Sequence, residues 1–192
     1  MTIKKNIVLE KKGAKPILID FFYNSNNKMP VIIFCHGYKG YKDWGCWDLV
    51  AKEFATNNVF FIKFNFSYNG GTVQNPIDFP DLKAFGNNNF THELNDIERV
   101  VSFISNYQNI SENIDLNNIF LIGHSRGGGI CAIKASENKQ IKGLISWASV
   151  SNFKIRFNEE SKEFIKWKES RTPFEAIKFQ FGLNEKEIIT LV

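Results

Sequence analysis

Short continuous apolar runs recur along the chain, and segments with helical spacing lie between them. The continuous run VIIFC at 31–35 predicts a strand that is buried on both faces of a sheet, and mainly apolar segments predict further strands at 59–64, 118–122 and 141–150. Between two of these runs, apolar residues recur at every third or fourth position, at Leu94, Ile97, Val101 and Ile104. Strands that alternate with helices imply right-handed crossovers, so the pattern predicts an α/β fold with a doubly wound, mostly parallel sheet.

The boundaries of these elements follow from turn and cap residues. Residues 3–9 and 15–23 predict an antiparallel hairpin at the N-terminus. Asp43 is the predicted N-cap of the first helix and Thr91 that of the second. A third helix is predicted at 128–136. The segment 67–89, rich in Gly, Asn and Pro, predicts a long loop.

The C-terminal part of the chain has a helical pattern without a further strand. An amphipathic helix is predicted at 159–167, a capping box with proline at 172–175, and another helix start at 184–187. We therefore divide the chain into a core, residues 1–155, and a helical, lid-like segment, residues 156–192.

Composition and charge restrict the classes of partner. The 192 residues are 43% hydrophobic, enough for one globular core, and their net charge of +4 is spread along the chain as if on a solvated surface. We therefore expect no nucleic-acid partner. With neither a signal peptide nor a long apolar run in the sequence, we expect no membrane span.

The cysteines indicate a reducing location. Cys35, Cys46 and Cys131 are odd in number and lack metal-ligand spacing, which favours reduced thiols in the cytoplasm. We expect no metal and no cofactor.

The first motif with chemical potential is Gly123-x-Ser125-x-Gly127. It follows the run IFLI and precedes a helical pattern, which is the context that a nucleophile elbow requires. Small residues beside Ser125 allow strand and helix to approach, and the N–H groups of the helix start can face an anion. Alternatively, the segment is a glycine-rich turn with an incidental serine.

The second motif is CHGYKG, residues 35–40, directly after the strand at 31–35. In a parallel sheet this loop and the Ser125 turn lie at the same edge, where open α/β folds bind ligands. A backbone N–H of the loop, paired with that of Arg126, would form an oxyanion hole.

Together, VIIFCHGYKGYKDWG, FFIKFNFSYNGG and IFLIGHSRGGG resemble the α/β-hydrolase superfamily, and most closely its dienelactone hydrolase-like and prolyl oligopeptidase-like serine hydrolases. The resemblance implies that Ser125 is the nucleophile and that the N–H groups of Tyr38 and Arg126 form the oxyanion hole. Gly37, Gly123 and Gly127 match the loop and elbow glycines. His36 matches a histidine that shapes the loop without transferring a proton.

The expected triad is incomplete. The family implies an aspartate or glutamate and then a histidine on strands beyond the elbow, but no histidine follows Ser125. His36 and His124 belong to the two turns, and His92 lies in the first turn of a helix whose strand need not adjoin that of Ser125. We therefore expect the last strands to be absent from this chain and its catalysis to be impaired.

Three hypotheses remain open. The first is a serine hydrolase of an ester, thioester or small peptide, represented by a chain without its acid and histidine. The second is a binding module that keeps the pocket without turnover. The third is an intact small enzyme that uses His92 or a histidine from a partner chain. An uncovered sheet edge near Val150 would also permit self-association.

Overall fold

The computed structural model describes residues 1–24, 27–153 and 158–171, and contains one six-stranded sheet with helices packed on both faces. The strands are β1 Thr2–Leu9, β2 Ile17–Tyr23, β3 Met29–Cys35, β4 Phe60–Phe64, β5 Ile114–His124 and β6 Ile141–Trp147. The helices are α1 Trp47–Thr56, α2 Leu82–Gly86, α3 Phe90–Asn106, α4 Arg126–Glu137 and α5 Lys162–Ser170, with a 3₁₀ turn at Gln108–Ile110.

The strand order is β1-β2-β4-β3-β5-β6. The pairs β1/β2 and β2/β4 are antiparallel, whereas β3/β4, β3/β5 and β5/β6 are parallel. This topology confirms the predicted α/β sheet with an N-terminal hairpin. In the central pair Cys35 is in register with Gly123, so the loops after β3 and β5 leave the sheet side by side.

Two apolar clusters cover the sheet. The larger lies between the sheet and helices α3 and α4, where Ile97 and Ile130 pack against Ile33. The smaller lies between the sheet and α1, where Trp47 and Ala51 pack near Phe34. Because adjacent residues of β3 point to opposite faces, the alternation of Ile33 and Phe34 between the clusters explains why the run had to be apolar throughout.

Several element boundaries differ from the sequence prediction. Helix α1 begins after Cys46 rather than at Asp43, and the side chain that caps α3 is Asn89, which accepts the His92 N–H at 2.9 Å, rather than Thr91. The predicted loop 67–89 contains the short helix α2, and β6 ends at Trp147. Asp43 does not cap α1 because its carboxylate binds buried lysines.

A buried network of charges joins β2, β4 and the loop after β3. Lys42 and Lys63 are fully buried, so the expectation that the lysines form a solvated surface is wrong for them. The Lys42 ammonium binds Asp20 at 2.9 Å and Asp43 at 2.5 Å, and the Lys63 ammonium binds Asp43 at 2.5 Å and also contacts Asp48. Burial alone would raise the pKa of Asp43, but hydrogen bonds from both lysines lower it to about 2.

The predicted C-terminal helices are described only in part. Helix α5 confirms the helix predicted near 159–167, and none of its residues is buried. The helices predicted at 172–175 and 184–187 lie outside the described residues. Among the residues that the structure describes, no helix combines the length and apolar character needed to cross a membrane. The division into a core and a lid stays a prediction.

Candidate active site

Ser125 occupies the sharp turn between β5 and α4. Its backbone has φ 54° and ψ −120°, a conformation that non-glycine residues rarely adopt and that is typical of nucleophile elbows. The Ser125 N–H donates to the Trp147 carbonyl at 2.9 Å, and the Ser125 carbonyl accepts the Gly128 N–H at 3.1 Å. These bonds hold the strained turn, and the residue remains half-buried and accessible.

The elbow is tight because its flanking glycines leave no room for a side chain. A Cβ on Gly123 would lie 2.4 Å from the Gly128 Cα, and one on Gly127 would lie 2.4 Å from the His36 carbonyl oxygen. Gly127 therefore allows α4 to start directly against the loop that follows β3. The sequence assigned these two glycines to the elbow, and their surroundings explain why.

Replacing Gly127 by alanine should destabilise the fold through this contact. The neighbour is backbone and cannot rotate away, so we expect Gly127→Ala to lower the free energy of unfolding by about 1–3 kcal/mol or more in urea denaturation. The control is Gly143→Ala, where the new Cβ would meet only the side chain of Phe120, at 3.0 Å. Equal losses for the two variants would contradict this interpretation.

The loop after β3 packs directly on the serine. A Cβ on Gly37 would lie 2.9 Å from the Ser125 Cβ, so only a glycine lets the loop approach this closely. Tyr38 follows Gly37, and Arg126 follows Ser125. The two backbone N–H groups predicted for the oxyanion hole therefore belong to segments in contact, and their role stays a prediction.

His36 joins this loop to the segment that follows β4. Its Nε2 accepts the Phe66 N–H at 3.2 Å, so Nδ1 carries the proton and donates to the Gly37 carbonyl at 2.9 Å. Burial lowers the pKa of His36 to about 4, which keeps the imidazole neutral near neutral pH. Both ring nitrogens are engaged, in agreement with a role in shaping the loop.

The rings of the other two histidines contact aromatic side chains. The His124 ring lies 5.2 Å from the Trp47 ring, and the His92 ring is stacked on Tyr68 at 4.1 Å. Helix α3, which carries His92, follows β4, and β3 separates that strand from β5. Within residues 1–24, 27–153 and 158–171, no hydrogen bond joins Ser125 to an imidazole.

Sequence reasoning missed the acid that binds the side chain of Arg126. Glu93 is 2% exposed, and its Oε1 accepts hydrogen bonds from the Arg126 guanidinium and from the Asn88 amide. Burial raises the pKa of Glu93 against the opposing charge of Arg126. In the sequence a glutamate in a first helical turn suggests only a favourable contact with the helix dipole, so no local signal identified it.

One carboxylate cluster has the spacing of a metal site. Oxygens of Asp20, Asp43 and Asp48 lie within 4.8 Å of one another. The ammonium groups of Lys42 and Lys63 already bind these oxygens and supply positive charge there. The cluster therefore fits an internal ion network better than a cation site.

Two of the three cysteines lie in the core of the protein. Cys35 and Cys131 are buried, and Cys46 is exposed. Burial, and to a smaller extent a hydrogen bond with the Cys131 thiol, raises the pKa of the Cys35 thiol well above its usual value. Cys35 is therefore an unreactive core thiol, although it lies directly before the His36 loop.

A family model described as phospholipase/carboxylesterase matches residues 23–168, which include the His36 loop and the Ser125 elbow. The chain belongs to this family of α/β hydrolases. A second model, for a protein of unknown function (DUF2805), matches residues 165–192. No curated protein sequence matches this α/β hydrolase.

Solved structures share the fold. The DcsB protein, crystallised with a substrate analogue, has a TM-score of 0.70 and 19% identity, covering 88% of this chain and 53% of its own. A sugar hydrolase (YeeB) from Lactococcus lactis has a TM-score of 0.60 and 22% identity, covering 84% of this chain and 59% of its own. A candidate dienelactone hydrolase from Klebsiella pneumoniae has a TM-score of 0.57 and 18% identity, covering 77% and 60%. The hydrolase chain thus spans a little over half the length of these relatives.

Proposed function

We propose that this α/β hydrolase is a serine hydrolase that cleaves a carboxylic ester through an acyl-Ser125 intermediate. The strained backbone of Ser125, with φ 54°, carries the proposal because it presents the hydroxyl at the sheet edge beside the Gly37 loop. The family description as phospholipase/carboxylesterase favours an ester over a peptide. A thioester remains within the same chemistry.

In the proposed reaction the Ser125 Oγ forms a bond to the carbonyl carbon of the ester. The electron pair of the C=O bond moves to the oxygen, which accepts hydrogen bonds from the N–H groups of Tyr38 and Arg126. The intermediate collapses with loss of the alkoxide, which takes up the proton that a general base removed from the hydroxyl. Water then attacks the acyl carbon, the bond from this carbon to Oγ breaks, the carboxylic acid leaves, and a proton from the water returns to the Ser125 Oγ.

The general base is the part of this mechanism for which we propose no histidine of the chain. His36 uses both ring nitrogens in the loop clamp, and His92 stacks on Tyr68. We propose that the 192-residue chain contains a nucleophile and an oxyanion hole without a base among these histidines. A pocket that binds without turnover is the second candidate function, and the same observation favours it.

A fluorophosphonate probe tests the nucleophile. Labelling forms a P–O bond to the Ser125 Oγ, breaks the P–F bond and releases fluoride and the hydroxyl proton. Without a base we expect slow but selective labelling, more rapid at pH 9 than at pH 7, with the adduct located on Ser125 by peptide mass spectrometry. Gly37→Ala should slow it by about 10²-fold, because displacing one oxyanion-hole donor has effects on the order of 10² to 10³.

The control is Ser67→Ala, which removes a buried serine bound to Asp96 and should leave labelling unchanged. Ser125→Ala should abolish the adduct. Labelling spread evenly over several serines, or none at Ser125 at either pH, would favour the binding module.

We also propose self-association of the hydrolase through β6. Within the described residues this strand pairs with β5 alone, and the side chain of Ile145 on it is 42% exposed. We propose a cytoplasmic location as well, because the three cysteines are free and thiols remain reduced in that compartment.

A further inference from the structure

We propose that Glu93 is a positioning residue for the oxyanion hole, because its carboxylate holds the Arg126 guanidinium against the Tyr38 ring. This inference rests on the proposed role of Ser125. It concerns the side chains of two residues whose backbone N–H groups are the proposed donors. Glu93 itself would touch no substrate.

The contacts form a continuous chain from α3 to the serine. The Arg126 guanidinium binds Glu93 Oε1, and its centre lies 4.8 Å from the centroid of the Tyr38 ring and 5.8 Å from that of Phe90. Cation–π contacts of this kind add attraction to the packing. The Glu93 carboxylate thus fixes the Arg126 side chain, which in turn contacts the ring of Tyr38. The elbow and the facing loop are therefore joined through side chains as well as through their backbones.

Tyr38, in the loop after β3, has a second contact on the side of helix α2. The Tyr38 ring lies 5.8 Å from the ring of Phe85 on α2, which is itself buried. Tyr38 is thus packed between the guanidinium and α2. A shift of Arg126 would change the support on one side of Tyr38 and leave the other in place, which would move the loop relative to Ser125.

The form of the ion pair indicates a role beyond stability. Both recorded donors bind Glu93 Oε1, whereas Glu93 Oε2 and Asn88 Oδ1 are buried without a hydrogen-bond partner among the described residues. A buried pair with an unsatisfied oxygen contributes little net stability, and apolar replacements of such pairs are often neutral or stabilising. Its position next to the elbow gives a more specific reason for its presence: it fixes the direction of the Arg126 side chain.

Helix α3 supplies a matched control. Asp96 lies one turn further along the helix and is equally buried, at 2% exposure, but it pairs with Arg99 at 2.9 Å and accepts the Ser67 N–H at 2.7 Å instead of binding Arg126. Glu93→Gln and Asp96→Asn each remove one buried negative charge at nearly constant volume. A purely structural role predicts the same outcome for both variants.

The experiment measures Ser125 phosphonylation over a range of probe concentrations in the full 192-residue chain. We expect Glu93→Gln to lower the maximal rate constant by roughly 10-fold, less than the loss of a whole donor, with the half-saturating concentration changed less than about 2-fold. Asp96→Asn should change neither parameter beyond about 2-fold. Equal decreases in the two variants, or an unchanged maximal rate in Glu93→Gln, would overturn the inference.

Two further measurements keep the test decisive. If Glu93→Gln does not fold, Tyr38→Leu, which keeps the backbone N–H but removes the ring under the guanidinium, should show the same decrease, and an unchanged rate would overturn the proposal. If wild-type Ser125 does not react, the proposed function fails by itself. The ¹H–¹⁵N resonances of Tyr38 and Arg126 then decide, because they should move in Glu93→Gln and stay in place in Asp96→Asn.

Discussion

Hydrolysis of p-nitrophenyl acetate by the 192-residue chain should be slow, and replacing His92 by alanine should leave the rate unchanged within about 2-fold. The physical reason is placement: the His92 ring is stacked on Tyr68, and the residue of α3 that binds beside Ser125, on Arg126, is Glu93. An oxyanion hole without a complete triad still supplies about 10³ to 10⁴-fold catalysis over water. Ser125→Ala should remove that remainder.

The comparison requires all three rates, for the wild-type chain, Ser125→Ala and His92→Ala, at the same protein concentration. Turnover as fast as that of an ordinary esterase, lost in both variants, would make His92 the general base and refute the proposal. A wild-type rate equal to that of Ser125→Ala would instead favour the binding module.

Replacing Lys63 by methionine should cost about 3–5 kcal/mol of the free energy of unfolding. The Lys63 ammonium is fully buried and contacts Asp20 at 3.2 Å, Asp43 at 2.5 Å and Asp48. Its removal takes away a positive charge that lies beside all three carboxylates. Removing one partner of a buried ion pair typically costs about 3–5 kcal/mol. Since domains are stable by only about 5–15 kcal/mol, the loss should be visible directly in urea denaturation.

Lys5→Met is the matched control, because Lys5 binds Asp48 of the same network at 2.5 Å from an exposed position. Exposed pairs contribute about 0–1 kcal/mol, so this variant should unfold almost like the wild type. Adding Asp20→Asn to Lys63→Met should recover part of the stability, because it removes one negative charge from a network in which three carboxylates would face only the ammonium groups of Lys42 and Lys5. A Lys63→Met cost no larger than that of Lys5→Met would contradict the assignment.

The sheet was predictable because local sequence determines burial on both faces. Residues 31–35 and 119–122 are continuously apolar, and both lie in central strands of the sheet. The elbow was predictable for a related reason, because Gly123, Ser125 and Gly127 lie within five consecutive residues of one tight turn. Features that depend only on residues close together in the sequence can be predicted without knowledge of the fold.

The features that sequence reasoning missed depend on residues far apart in the chain. The buried Lys63 ammonium is paired with Asp20 and Asp43, which come from other segments of the chain. The buried Glu93 carboxylate is paired with Arg126, which lies at the start of α4. The cap of α3 differed from the prediction because Asn89 competes with Thr91 only two residues away. Helix α2 was missed since its five residues are too few to show an apolar period.

The strand order also determines when during folding the Ser125 turn can meet the loop that follows β3. Central strand β3 is complete early in the chain, but its neighbour β5 comes much later, with Val31 paired to Ile119. Contacts between such distant segments form slowly, because a long loop must close before they contribute. During synthesis, a nascent chain that has emerged only as far as β4 therefore leaves one edge of β3 unpaired. Gly37 meets Ser125 only after β5 has emerged and docked.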